Sequence, residues 1–235
     1  MDAARRSDLR DFYDLLNALA ARAGPARVLA SCTGRMIWPR RGVYFFTEPG
    51  ETRSESGTGR RIVRVGTHAL KAGSRTALWK RLSQHRGPAA SRAGNHRGSI
   101  FRLLVGTAIA ARDGAVFPTW GDGNSAPADI RAGEVEVERQ VSAIIGGMSV
   151  QWLGVDDEPG PGSLRRFIER NAIALLSNYD RMPIDPPSGS WLGTHCNREK
   201  VQRSGLWNQV HVDETHDPGF LRQLEQLIAM QEPAR

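Results

Sequence analysis

Two runs constrain the fold more than any other feature: RRGVYFFTEPGE over residues 40–51 and RVGTHAL over residues 64–70. Both are dense in β-branched and aromatic residues, which suit a pleated, half-buried surface. Residues 41–47 fit a short central strand, and the pattern resumes over 61–67 with Ile62, Val63 and Val65. The connection EPGETRSESGTG is polar and rich in glycine, so the two strands form an antiparallel hairpin. Each run carries a glycine at one edge, Gly42 and Gly66. The first also places Tyr44 where an apolar residue would serve the core equally well.

The rest of the chain supplies helices to cover such a sheet. Leu9, Phe12, Leu16 and Leu19 recur at three- and four-residue steps, with Ser7 as the expected cap and Gly24-Pro25 as the stop. Residues 26–38 read as strand or helix alike. SRTALWKRLSQH is helical, with Leu78, Trp79 and Leu82 on one face and Lys80, Arg81 and His85 largely on the other. SIFRLLVGTAIAARDG is a second, more buried helix closed by Gly114. Asp129 opens a segment that reads as helix, although Val135 and Val137 also allow strand. SVQWLGV is a third strand, and SLRRFIERNAIALLSNY a strong helix behind Ser163. A short helix near 197–203 and a last helix starting at Asp217-Pro218 complete the chain. The expectation is one α+β domain over 1–235, with a small mixed or antiparallel sheet of about three core strands flanked by helices.

Charge narrows the partner. Residues 1–112 hold 21 Lys and Arg against 7 Asp and Glu, and residues 113–235 hold 11 against 18. The first half therefore projects a positive field suited to a polyanion. Arginine supplies 29 of the 32 cations, and its planar fork grips phosphate oxygens in pairs. No apolar run reaches the roughly 18 residues that a membrane span needs. The start, MDAARRSDLRDF, has no apolar stretch behind its basic residues. With only Cys32 and Cys196 present, a reducing, cytoplasmic setting is expected.

Four motifs follow one another in order: GVY (Gly42, Val43, Tyr44), RVG (Arg64, Val65, Gly66), LWKRLSQH with Arg81, and FIERNAIALL with Glu169. Together they resemble the GIY-YIG nuclease superfamily over residues 41–179, leaving 1–40 as an N-terminal helical extension and 180–235 as a C-terminal one. The resemblance implies metal-assisted hydrolysis of a nucleic acid phosphodiester. Tyr44 would act as general base, Arg81 would hold the non-bridging phosphate oxygens, and Glu169 would ligate one Mg²⁺ or Mn²⁺. His85, one helical turn past Arg81, would relay a proton or touch phosphate. Gly42, Gly66, His68, Lys80 and Arg86 are the expected nucleic acid contacts. The family's asparagine beside an aromatic has a counterpart in Trp207-Asn208, with Asn178 as the nearer alternative. DNA is favoured over RNA as partner, and no targeting protein is readable.

The chain departs from the family at Arg64, where the second tripeptide usually begins with tyrosine. Arginine is no acid or base near neutral pH. Either Arg64 serves as a phosphate or tyrosinate partner, or the scaffold is a nucleic-acid-binding module without turnover. A third reading is an adaptor whose charge asymmetry drives self-association. His195, His211 and His216 match no familiar zinc spacing; His195 and His211 read as loop contacts or as residues near the cleft. Trp120, Trp191 and Trp207 fit loop packing better than base stacking, and GDGNS lacks the strand-to-helix setting of a phosphate loop.

Overall fold

Strand β2 (Gly42–Thr52) explains why its sequence is apolar on both faces. The computed structural model describes residues 2–233 and places β2 between β3 (Arg60–Gly66) and β4 (Ser149–Gly154). A two-residue strand, β1 (Arg27–Val28), pairs with the outer side of β4. The sheet order is β1-β4-β2-β3, and every pairing is antiparallel. Val43 and Phe45 point into one apolar cluster, Tyr44 and Phe46 into the other, and none is more than 1% exposed. A central strand covered on both faces reads as a continuous apolar run.

The first face is covered by α1 (Asp2–Ala23), α6 (Leu164–Leu176) and α8 (Phe220–Ala229). Phe12 of α1 lies 6.0 Å from the ring of Phe45 and 6.0 Å from that of Phe220. The other face is covered by α2 (Leu78–Arg86), α3 (Ile100–Asp113) and α5 (Val135–Gly147), with the short α4 (Ala128–Gly133) leading into α5. A last short helix, α7 (Glu199–Ser204), packs near the 3-10 turn Leu192–His195.

Two local expectations, at Ser7 and His85, change, and two ambiguous segments are settled. Ser7 lies inside α1 rather than capping it. The helix starts earlier because Arg5 grips the end of α6, donating from Nε to the carbonyl of Leu175 at 3.1 Å and from Nη2 to that of Ser177 at 2.6 Å. Helix ends leave such carbonyls without partners of their own. The ambiguous 26–38 segment is a two-residue strand and a 3-10 turn, fixed by pairing to β4 rather than by local preference. Residues 135–147 are helix, because Val137, Val141 and Ile145 fall four apart on one buried stripe. His85 joins Leu78 and Leu82 on the buried face of α2, and all three are fully enclosed.

The glycines at the strand edges have separate causes. Gly66 pairs directly with Tyr44, and a Cβ there would lie 2.4 Å from the Tyr44 hydroxyl oxygen. Only a missing side chain lets the phenol lie across β3. At Gly42 a Cβ would lie 2.4 Å from the Leu153 carbonyl oxygen of β4, so the strand pairing itself forbids one.

A buried ionic cluster ties α3 to α5. Arg102, with no exposed surface, donates from Nε to Glu138 at 2.9 Å and from Nη1 to the His85 carbonyl at 2.8 Å. Its Nη2 also pairs with Glu138. His96 reaches the other Glu138 oxygen at 3.1 Å and stacks on Trp120, centroids 3.8 Å apart. Burial alone would raise the Glu138 pKa, but the hydrogen bonds from His96 and Arg102 hold it below the usual carboxylate value. Among the described residues, no helix is long and apolar enough to cross a membrane.

Candidate active site

Where β2, β3, α2 and α6 meet, a cavity of about 260 Å³ opens to solvent. Tyr44, Arg64, Arg81, Glu169 and Asn208 all line it, together with Thr67, Trp207 and His211. Residues up to 167 positions apart in the chain therefore share one pocket. A larger cavity of about 710 Å³, lined by Trp38, Trp152, Arg27 and Arg35 among others, includes none of the expected catalytic side chains. The expected catalytic side chains line the smaller one.

Tyr44 is all but enclosed, at 1% exposure. Its hydroxyl lies 2.9 Å from His85 Nε2, and His85 Nδ1 lies 2.7 Å from the Ser99 hydroxyl. His85 does not line the cavity; it stands behind Tyr44. Burial, followed by the charges of Arg81, Arg64 and Arg102, holds the His85 pKa well below its usual value, so the ring is neutral. Ser99 Oγ also accepts the Arg102 backbone N–H at 3.3 Å. A neutral imidazole donates from one ring nitrogen and accepts at the other, so when Ser99 donates to Nδ1 the Nε2 proton points to the Tyr44 oxygen.

Arg64 replaces the expected tyrosine on β3 and pairs with Phe46 across the sheet. Its guanidinium lies 4.6 Å above the Phe101 ring and donates to the Trp207 carbonyl. Burial lowers its pKa, while Tyr44 and Glu169 favour its charge and Arg81 opposes it. Arg81 donates to the Gly98 carbonyl at 3.0 Å. The Nε atoms of both arginines are buried with no hydrogen-bond partner. Two such donors beside one cavity fit an anion, because a buried unpaired polar group is costly until something meets it.

Glu169 projects from α6 toward the end of β3, where its Oε1 accepts the Thr67 N–H at 3.0 Å. Burial raises its pKa; Arg64, the Thr67 amide, His211 and Arg81 act against that rise. Asn208 lines the cavity too, but its amide is committed to β3: Oδ1 accepts from Val65 N at 3.1 Å and Nδ2 donates to Val65 O at 2.9 Å. With Trp207 N donating to Val63 O at 2.7 Å, residues 207 and 208 occupy the free edge of β3. Asn178, the alternative, instead accepts from Arg5 Nη2 at 2.9 Å, away from the cavity.

The remaining expected contacts sit around the cavity rather than in it. Gly42 offers its carbonyl to the Thr67 hydroxyl at 2.8 Å. Lys80 is exposed on α2. Arg86 turns away, with its guanidinium 5.0 Å from the Trp79 ring. His68 is buried just beyond β3, and burial, then the Arg165 charge, pushes its pKa down to about 4. Trp191 and Trp207 are buried in the core, each donating its indole N–H to Glu48, at 3.1 and 3.3 Å.

Sequence reasoning missed Thr67 at the site; it follows the second tripeptide directly, and that adjacency was its only signal. His211, read as a loop contact or a residue near the cleft, lines the cavity. It has a left-handed backbone, φ 66°, and its Nδ1 lies 2.7 Å from Glu214 Oε1.

The two neutral histidines give the protein an acid-sensitive stability. Both His85 and His68 have folded pKa values below the 6.5 of a free imidazole, that of His68 about 4. Between those limits the unfolded chain binds the extra protons, so stability rises with pH. Thermal unfolding should therefore occur at lower temperature at pH 5 than at pH 7. His68→Gln should flatten that slope; a slope unchanged in the variant would refute the assignment.

No curated protein and no solved structure matches the chain. A family model, the GIY-YIG domain, matches residues 3–234. That match spans almost the whole polypeptide and contains every side chain of the cavity: the chain belongs to the GIY-YIG domain family, a nuclease-type family.

Proposed function

We propose that this protein is a divalent-metal-dependent endonuclease that hydrolyses nucleic acid phosphodiester bonds. The observation that supports it is the convergence of a phenol, two guanidinium groups and one carboxylate on a single solvent-open cavity. A phosphodiester would set its non-bridging oxygens against Arg64 and Arg81, whose Nε donors lack partners. Those charges would also stabilise the negative charge that grows in the transition state. Ionised to the phenolate, Tyr44 would take the proton of the attacking water and return to the phenol. Negative charge on its oxygen would be met by the His85 Nε2–H and by Arg64. His85 acts from behind, orienting the phenol.

The donor set fits magnesium or manganese. Among the described residues no group of three or more His, Cys, Asp or Glu could hold a metal ion. A single carboxylate is what Mg²⁺ commonly takes from a protein when water and substrate phosphate complete its shell. Glu169 would hold the ion, its Oε1 anchored by Thr67 and its Oε2 free of hydrogen bonds among the described residues. When bound, the ion supplies Lewis-acid stabilisation of the phosphoryl group.

Lys71 and Arg75 are exposed on the segment between β3 and α2, and Lys80 on α2 itself; they suit a phosphate backbone, with DNA favoured over RNA. The second reading, a binding module without turnover, is favoured by one observation: Arg64 stands where the family has its second tyrosine.

The test is cleavage of plasmid, single-stranded DNA and RNA with Mg²⁺ or with EDTA. Cleavage should need the metal, and Glu169→Gln should slow it by about 10²–10³-fold while salt-sensitive binding persists. Binding without cleavage under any metal would favour the module. Absence of salt-sensitive binding would leave the adaptor reading.

A further inference from the structure

His211 is unused in the account above, yet it lines the same cavity as Glu169. Its backbone is left-handed, φ 66°, a conformation that costs a non-glycine residue energy and collects at functional sites. The residue sits on the segment that follows Trp207 and Asn208, which are fixed to the edge of β3. The local backbone is therefore anchored just upstream of the strained position.

The ring is also oriented. Nδ1 lies 2.7 Å from Glu214 Oε1, and Glu214 is tied in turn to Arg170 on α6, next to Glu169. A carboxylate has no proton to give when ionised, so Nδ1 carries the hydrogen and the neutral ring keeps its lone pair on Nε2. That nitrogen has no hydrogen-bond partner among the described residues, and the side chain is 26% exposed, open to a ligand. A histidine whose second nitrogen is held by a carboxylate is the usual arrangement around a protein-bound metal. Nitrogen is a poor ligand for magnesium but suits manganese and the later transition metals better.

We infer that His211 is a second protein ligand, through Nε2, to the divalent ion that Glu169 holds, with Glu214 as the positioning residue that fixes its tautomer. The inference rests on the proposed metal-dependent reading of this cavity. It predicts that the chain discriminates between Mg²⁺ and Mn²⁺ more sharply than a single carboxylate would.

The test uses Mn²⁺ as the probe with the full chain. Bound Mn²⁺ counted by electron paramagnetic resonance gives the affinity, and electron spin echo modulation detects a directly bound imidazole nitrogen. Wild type should show the nitrogen coupling. His211→Gln should lose it and bind Mn²⁺ about 10–100-fold more weakly, with Glu214→Gln falling between the two. Thermal unfolding of each variant separates a lost ligand from a lost fold, and His211→Asn offers a second, smaller replacement. Mn²⁺ bound with wild-type affinity in His211→Gln, or no nitrogen coupling in wild type, would overturn the inference and leave the nuclease reading intact. Wild type that binds no divalent ion and cleaves nothing would overturn both.

Discussion

Tyr44→Phe is expected to lower cleavage by about 10²–10⁴-fold, the usual contribution of a general acid or base, while nucleic acid affinity stays unchanged. The substitution removes one oxygen and almost nothing else. The ring keeps its place across Gly66, and Phe46 and His85 still pack edge-on against it at 5.7 and 5.6 Å. What disappears is the hydroxyl of a cavity-lining residue and its 2.9 Å bond to His85. Leaving His85 Nε2 without its partner in a closed core costs about 1–3 kcal/mol, too little to unfold a typical domain. Single-turnover cleavage, paired with fluorescence anisotropy on a labelled duplex, separates the chemistry from the binding. Cleavage at the wild-type rate in this variant would remove Tyr44 from the mechanism and with it the role given to His85.

Glu138→Ala should have the largest effect on stability, a loss of about 3–5 kcal/mol, because it strands a charge that water cannot reach. Arg102 has no exposed surface, and among the described residues Glu138 is its only carboxylate partner. His96 loses an acceptor at the same time. For a chain of this size each kcal/mol moves the unfolding midpoint by about 2–4 °C, so a drop of roughly 6–20 °C is expected by calorimetry. The double replacement Arg102→Met with Glu138→Leu should recover much of the loss, since an apolar pair of similar volume often replaces a buried ion pair without penalty. If the single and double variants unfold together, the cluster is not what ties α3 to α5. Because Arg102 also holds the His85 carbonyl at 2.8 Å, the single variant should lose some activity even below its unfolding temperature.

The hairpin was legible because two β-rich apolar runs and the polar glycine-rich turn between them report directly on pairing. So was Tyr44, since a phenol inside an apolar run needs a reason, and Gly66 opposite it supplied the room. The long helices followed from their periodic apolar faces. His85 was misplaced on α2 because a histidine counts as polar in any pattern. It is buried only because Tyr44 and Ser99 satisfy both of its nitrogens. Strand β1 could not be read locally, for its two residues are extended only by pairing with β4. The Arg102–Glu138 cluster joins residues 36 positions apart on different helices and leaves no periodic trace. The same holds for Asn208, whose amide reads Val65 across 143 residues of chain.

The way residues 207 and 208 lie along β3 bears on how far this scaffold can be pared down. Excised at residue 179, the chain would present β3 as a bare ladder of amides and carbonyls, an invitation to intermolecular strand pairing. The loss of α1 and α8 would uncover Phe45 and Val43 on the opposite side. A minimal cassette cut to the four signature motifs should therefore precipitate, and any graft of this centre onto another protein has to carry both chain ends with it.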